Sequence, residues 1–129
     1  MNAKKRGRIT KQIGAYPKLS EQIVADVFAE AGFDVEFIAE NKGYKRHSAD
    51  ICMEGLDWEI KCVKSDKMDK VRRNLNKALK QSKNIILGTF NTDILDEKII
   101  DYVSKYAKSL KTVKRMKVVN KKKEILDIK

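Results

Sequence analysis

Cysteine, histidine, proline and tryptophan are all scarce in this chain, at two, one, one and one residues out of 129. The two cysteines, Cys52 and Cys62, fall on opposite faces of the strands derived below, so a disulfide between them is not expected. With His47 as the sole imidazole and no cluster of thiols, the sequence offers no ligand set for a structural zinc site. No apolar run approaches the ~20 residues of a membrane-spanning helix, and no apolar segment of the secretory type follows the basic start. A lipidation signal and a basic amphipathic helix of the membrane-surface kind are missing too. Internal repeats are absent, and low complexity is confined to short lysine clusters. These absences point to a protein that works in an aqueous compartment.

What the chain has in excess is positive charge. A formal net charge of +11, a pI near 9.7 and a charged fraction of 36% sit beside an ordinary hydrophobic fraction of 42%. Such an imbalance favours polyanionic partners, above all nucleic acid, through phosphate contacts and counterion release. At 129 residues and 14.8 kDa the chain has room for one core and not comfortably for two.

The most informative stretch is Ser48-Ala49-Asp50-Ile51-Cys52-Met53-Glu54-Gly55-Leu56-Asp57-Trp58-Glu59-Ile60-Lys61. Two strand-like runs flank Glu54-Gly55, a Gly-bearing break of the hairpin kind. If those two residues form the turn, Met53 faces Leu56, Cys52 faces Asp57, Ile51 faces Trp58 and Asp50 faces Glu59. Ile51, Met53, Trp58 and Ile60 then share one face, while Asp50, Asp57, Glu59 and Lys61 share the other. Like charges opposite one another cost about 0.2–1 kcal/mol on a sheet, so Asp50 facing Glu59 asks for a compensating cation. A divalent ion such as Mg²⁺, which takes oxygen ligands from one or two carboxylates, meets that need. Lys61 neutralising a solvated face meets it as well, and the spacing does not choose between them.

Elsewhere the punctuation predicts alternating helices and strands. Residues 1–17, with Lys4-Lys5-Arg6-Gly7-Arg8 and the only proline, Pro17, form a basic arm, and 18–129 form the domain. Ser20 offers an N-cap for a helix over 20–31 that closes at Gly32. Glu21 falls in its first turn, where the helix dipole alone explains a carboxylate. Val35 and Phe37 alternate with Asp34 and Glu36 as a strand. The basic loop before Asp50 carries Tyr44 and His47, either to stack and hold a nucleic-acid strand or simply as a connector.

Val71, Leu75, Ala78 and Leu79 mark the inner face of a further helix, whose outer face bears Arg72, Arg73, Asn76, Lys77, Lys80 and Gln81. That outer face is either solvated or in contact with phosphate. The apolar run Asn84–Phe90 reads as a central strand buried on both faces. A helix over roughly 95–109 and two short strands, 114–119 and 124–128, complete the order. The fold class expected is α/β, a single mixed β-sheet flanked by helices on both faces.

A helix with Glu21, a strand, an Asp50-bearing strand, a hairpin and Glu59-Ile60-Lys61, followed by a helix and a strand, resembles the PD-(D/E)xK nuclease superfamily with its αβββαβ core. The resemblance covers most of residues 18–90. Leu19-Ser20-Glu21, Ser48-Ala49-Asp50-Ile51 and Asn84-Ile85-Ile86-Leu87 are similar, within that superfamily, to the tRNA-cleaving C-terminal domains of contact-dependent growth inhibition toxins. Ala49 stands where the family often has proline, a departure that removes no ligand. The resemblance implies catalytic roles for Glu21, Asp50, Glu59 and Lys61. It implies Mg²⁺ or Mn²⁺ held by Asp50, Glu59 and the Ile60 carbonyl, and substrate contacts from Tyr44, His47, Arg72, Arg73, Lys77 and Gln81.

The same likeness implies a tRNA substrate ahead of DNA and an acidic cognate immunity protein. It also implies delivery from a larger secreted or cell-surface protein into a target-cell cytoplasm, with a monomer favoured. A DNA endonuclease of restriction or junction-resolving type shares the same chemistry. A non-catalytic basic nucleic-acid-binding protein, with Asp50, Glu59 and Lys61 as a surface ion cluster, is the reading from a different class.

Overall fold

A computed structural model describes residues 5–39 and 49–129. Among the described residues, seven strands follow chain order in one mixed sheet and are joined by three helices, an α/β fold. The chain divides into two compact units, Met1–Ile60 and Lys61–Lys129.

The first unit opens with strand β1 (Ile9–Lys11), which lies inside the segment expected to be a basic arm. It pairs in parallel with β2 (Val35–Phe37). Main-chain bonds continue the pairing at both ends: the Val35 amide donates to Arg8 O at 2.8 Å and the Gln12 amide to Phe37 O at 2.9 Å. Helix α1 spans Leu19–Glu30 and buries Val24, Ala25, Phe28 and Ala29. Its N-cap is Lys18 rather than Ser20, and the side chain that closes the first turn is Glu21, whose Oε1 accepts the Lys18 amide at 2.8 Å. At the other end the Phe33 amide reaches Phe28 O at 3.0 Å and the Gly32 amide reaches Ala29 O at 2.9 Å. This is a Schellman ending, and the edge-to-face contact of Phe28 with Phe33, 5.6 Å between centroids, supplies its apolar clasp.

Strands β3 (Ile51–Met53) and β4 (Leu56–Cys62) form the expected hairpin, with β3 also antiparallel to β2. Glu54 and Gly55 both have positive φ, 55° and 74°, the signature of a two-residue type I′ turn. The pairs Met53–Leu56, Cys52–Asp57 and Ile51–Trp58 are those that turn predicts, but the fourth expected pair, Asp50 with Glu59, is absent from the ladder because the Asp50 amide bonds to Trp58 O instead. Trp58 is fully buried, and its indole N–H donates to Met53 O at 3.1 Å.

The second unit begins with the last two residues of β4. Helix α2 (Met68–Gln81) turns Val71, Leu75, Ala78 and Leu79 inward, the stripe the spacing predicts. Strand β5 (Asn84–Gly88) is buried from Ile85 onward, and it runs parallel to β6 (Arg115–Val119) after the crossover helix α3 (Asp96–Ser109). Strand β7 (Ile125–Asp127) returns antiparallel to β6. The core of this unit gathers Leu75, Leu79, Ile85, Leu87, Ile99, Val103, Met116 and Val118. Both cysteines are free thiols. Among the described residues, no helix is long and apolar enough to cross a membrane.

Candidate active site

The β3–β4 hairpin positions the acidic residues through a break in its own regularity. Within a strand, the N–H and C=O of one residue point to the same neighbour. At Asp50 they part: its amide donates to Trp58 O of β4 at 2.9 Å, while its carbonyl accepts the Ile38 amide, just past β2, at 3.0 Å. The backbone bends there, the ladder stops at Ile51–Trp58, and the Asp50 side chain is re-aimed along β4. Its Oδ2 accepts the Ile60 amide at 2.7 Å, so a carboxylate stands in for the missing ladder carbonyl. The bond is short and charge-assisted, the kind that fixes a carboxylate in one orientation.

Glu59 is only 5% exposed, an uncommon setting for a carboxylate. Asp50 is half-buried and Lys61 exposed. All three take part in polar or electrostatic interactions within the protein. Strand alternation sends the Glu59 and Lys61 side chains to the same side of β4, with Ile60 buried on the other. Cys52, on the neighbouring strand, has its thiol pKa pushed up by burial and then by the charges of Asp57 and Glu36, which keeps it in the unreactive protonated form.

Two carboxylates and a main-chain carbonyl are hard oxygen donors, and a Mg²⁺-type ion commonly takes one or two carboxylates and completes its shell with water. One lobe of Asp50 is used by the Ile60 amide, and an ionised carboxylate can accept at about four positions. The donor set of Asp50, Glu59 and the Ile60 carbonyl therefore fits such an ion. Among the described residues, no group of three or more His, Cys, Asp and Glu side chains is placed to hold a metal. Glu21 thus makes no acidic trio with Asp50 and Glu59, and the contact shown for it is the cap of α1.

The residues expected to contact substrate separate. Tyr44 and His47 lie outside the described residues, as does the Gln81 side chain. The outer face of α2 is not one surface. Arg72 pairs with Asp69 at 3.5 Å and sits over the Tyr102 ring, 5.7 Å from its centroid. Asn76, expected on the solvated side, accepts the Tyr102 hydroxyl and is half-buried. Arg73 is exposed. Lys77 faces another way, into a groove of about 650 Å³ that also involves Lys61, Lys64, Lys70 and Asn74. Lys64, Lys70 and Asn74 lie outside the set of substrate contacts that the resemblance implies. The i, i+4, i+7 spacing of Lys70, Asn74 and Lys77 was the signal that could have found the helical part of this set.

A solved structure described as "CdiA-CT/CdiI toxin and immunity complex from Burkholderia pseudomallei" shares the fold, with a TM-score of 0.70, 18% identity, and coverage of 95% of this chain and 99% of that one. No curated protein matches. The family described as "Contact-dependent growth inhibition CdiA C-terminal domain" matches residues 46–125, which include the hairpin, all of α2 and α3, and β5 and β6. With more than half of its length matched in this way, the chain belongs to the contact-dependent growth inhibition CdiA C-terminal domain family.

Proposed function

We propose that this domain is a metal-dependent nuclease of the PD-(D/E)xK type that hydrolyses phosphodiester bonds in RNA, with tRNA as substrate, and acts as the toxin of a contact-dependent growth inhibition system. The observation that carries the reading is the Asp50 bend. A half-buried carboxylate is locked to the Ile60 amide at 2.7 Å beside a strand bearing a buried Glu59 and then Lys61. Pre-organisation of this kind is what a phosphoryl-transfer site requires, because catalysis there is mostly positioning and electrostatics.

Asp50, Glu59 and the Ile60 carbonyl would hold Mg²⁺ or Mn²⁺. When bound, such an ion polarises a phosphoryl oxygen and lowers the pKa of water. Lys61 would orient the attacking water through its ammonium and offset the negative charge that builds on the phosphoryl oxygens. The Ile60 amide keeps Asp50 in place throughout. Glu21 enters as a contributor through water or a second ion. Retained cleavage in Glu21→Gln would confine that carboxylate to capping α1.

The structural neighbour is a complex of a toxin with its immunity protein. By that likeness this domain has a cognate inhibitor, and a net charge of +11 calls for one with an acidic face. Delivery belongs to a larger CdiA protein, and cleavage would take place in the cytoplasm of the cell that is entered.

The test is incubation of the purified domain with total tRNA, plasmid DNA and branched DNA, with Mg²⁺ or EDTA, beside the isosteric variant Glu59→Gln. Metal-dependent tRNA cleavage that the variant loses is the expected result. Cleavage of DNA alone would make the domain a DNA endonuclease. Intact substrates throughout would leave a basic nucleic-acid-binding protein whose carboxylates serve only the hairpin.

A further inference from the structure

Two grooves on the second unit carry cations, and their charge balance differs. The groove along α3, about 570 Å³, has Arg72, Lys98 and Lys105 at its walls, with the stacked rings of Tyr102 and Tyr106. It looks suited to a nucleotide until its ion pairs are considered. Arg72 is bound to Asp69 at 3.5 Å and Lys105 to Asp101 at 3.2 Å, and Asp101 itself lines the groove. These carboxylates leave it with less net positive charge than the groove along α2.

The groove along α2 has no carboxylate in its lining. Four lysines converge on it: Lys61 at the end of β4, Lys64 just beyond, and Lys70 and Lys77 from α2. The ammonium groups of Lys64, Lys70 and Lys77 have no carboxylate partner among the described residues, whereas those of Lys105, Lys117 and Lys121 are each held by one. Asn74, exposed and one turn from both helical lysines, adds an amide that can donate to a phosphate or bond to a base edge. Holding like charges together without counterions is unfavourable for the isolated domain, and an incoming polyanion relieves it. Lys70 and Lys77 lie on one side of α2, about 10.5 Å apart along the axis, a span that reaches successive phosphates of one strand.

We infer that Lys64, Lys70, Asn74 and Lys77, with Lys61 at the edge, form a subsite for the phosphodiester backbone of a single-stranded segment of the RNA substrate. The inference rests on the nuclease reading for the RNA's being a substrate, and on Lys64, Lys70 and Lys77 lacking carboxylate partners and on the acid-free lining for the rest. It moves substrate binding away from Arg72, whose guanidinium is committed to Asp69 and Tyr102. The base edge is left to Asn74, and the buried floor of Val71, Leu75 and Leu87 brings no competing anion.

The experiment uses the domain carrying Glu59→Gln, so that substrate survives, and a fluorescent single-stranded RNA oligonucleotide titrated across a salt series. Each phosphate neutralised on a single strand contributes about −0.7 to the slope of log K against log salt. The triple variant Lys64→Gln/Lys70→Gln/Lys77→Gln should flatten that slope by about 2 and weaken binding about 100-fold at 0.1 M salt. A control triple, Arg72→Gln/Lys98→Gln/Lys105→Gln, should bind almost as the parent does. Equal losses in the two triples would overturn the subsite, since they would show net charge at work and not the groove.

Binding of poly-glutamate with the same affinity and the same sensitivity to the first triple would overturn it too, by making the groove a docking place for an acidic protein. The two readings fail separately. Cleavage by the wild type that is untouched by the first triple removes the subsite and leaves the nuclease, whereas groove-dependent RNA binding without cleavage by the wild type removes the nuclease and leaves the groove.

Discussion

Asp50 accepts the Ile60 amide, and the proposed mechanism also gives it a metal ion to hold, two roles that one pair of substitutions can pull apart. Replacing it with alanine removes the acceptor of the Ile60 amide, and Ile60 is only 6% exposed, so water does not readily replace the lost partner. A buried donor left unsatisfied costs about 1–3 kcal/mol, and the bond at stake is charge-assisted, which puts the expectation near 2 kcal/mol. With a urea m-value of about 2 kcal/mol/M for a domain of this size, the midpoint should fall by about 1 M. Asparagine keeps an oxygen where the carboxylate had one, so Asp50→Asn should retain the bond to Ile60. It loses only charge interactions near the surface, within about 1 kcal/mol. Urea unfolding of the three proteins, followed by tryptophan fluorescence, reads the difference. Both variants should lose nucleolytic activity under the proposed mechanism, and only alanine should lose much stability. An alanine variant as stable as wild type, or an asparagine variant as weak as alanine, would refute the claim that the bend is pinned by this side chain.

Two further perturbations test the frame around the site. Burial pushes Asp96 up, but bonds from the Thr89 hydroxyl, the Lys121 amide and the Lys121 ammonium, together with that lysine's charge, outweigh it and hold the carboxyl below its usual value. Because the folded pKa is depressed, its stabilisation is complete above the unfolded value of about 3.9 and is lost as the pH falls through the folded value. The stability gap between wild type and Asp96→Asn should therefore be constant from pH 7 down to about 5 and close below about 4, a trend that denaturant titrations along a pH series would show or exclude. Gly7→Ala places a methyl 1.9 Å from Phe33 O, a main-chain atom that cannot step aside. Loss of about 1–3 kcal/mol is expected in thermal or urea unfolding, and a neutral result would mean that β1 is not seated against the turn after α1.

Much of this architecture can be read from the residues, for reasons that differ by element. The hairpin is legible because Gly55 can take the positive φ that the turn demands and the alternation on either side leaves one register. Helices α2 and α3 are legible through their apolar stripes, and β6 and β7 through the polar turn between them. Strand β1 is not legible. It has three residues and one apolar side chain, and what holds it is main-chain pairing to Val35–Phe37, which leaves no pattern in side chains.

The start of α1 misleads for a related reason. Serine is a good cap in isolation, but the helix begins two residues before the predicted cap, at Lys18, whose own amide is taken by Glu21. At the site, the sequence names Asp50 and Glu59 but not the bend between them, because a side chain that takes the place of a ladder carbonyl is a tertiary event. The basic face of α2 fails as a single surface for the same reason: Arg72 and Lys77 look alike in sequence, and only the position of Tyr102 and Asp69 separates a committed cation from an available one.

Trp58 gives the molecule an optical property that its sequence alone does not advertise. It is the only tryptophan, it is wholly excluded from solvent, and it sits in β4 between Asp57 and Glu59 with its ring nitrogen tied back to the far strand of the hairpin. Its emission should be blue-shifted in the native state and move to the red when that hairpin opens. Two of the three helices among the described residues, by contrast, lie in Lys61–Lys129, so far-UV ellipticity weighs mainly the second unit. The chain thus carries a built-in dye for the strand pair that holds Asp50 and Glu59. Emission and ellipticity recorded on one sample give separate melting curves for the hairpin and for the helices.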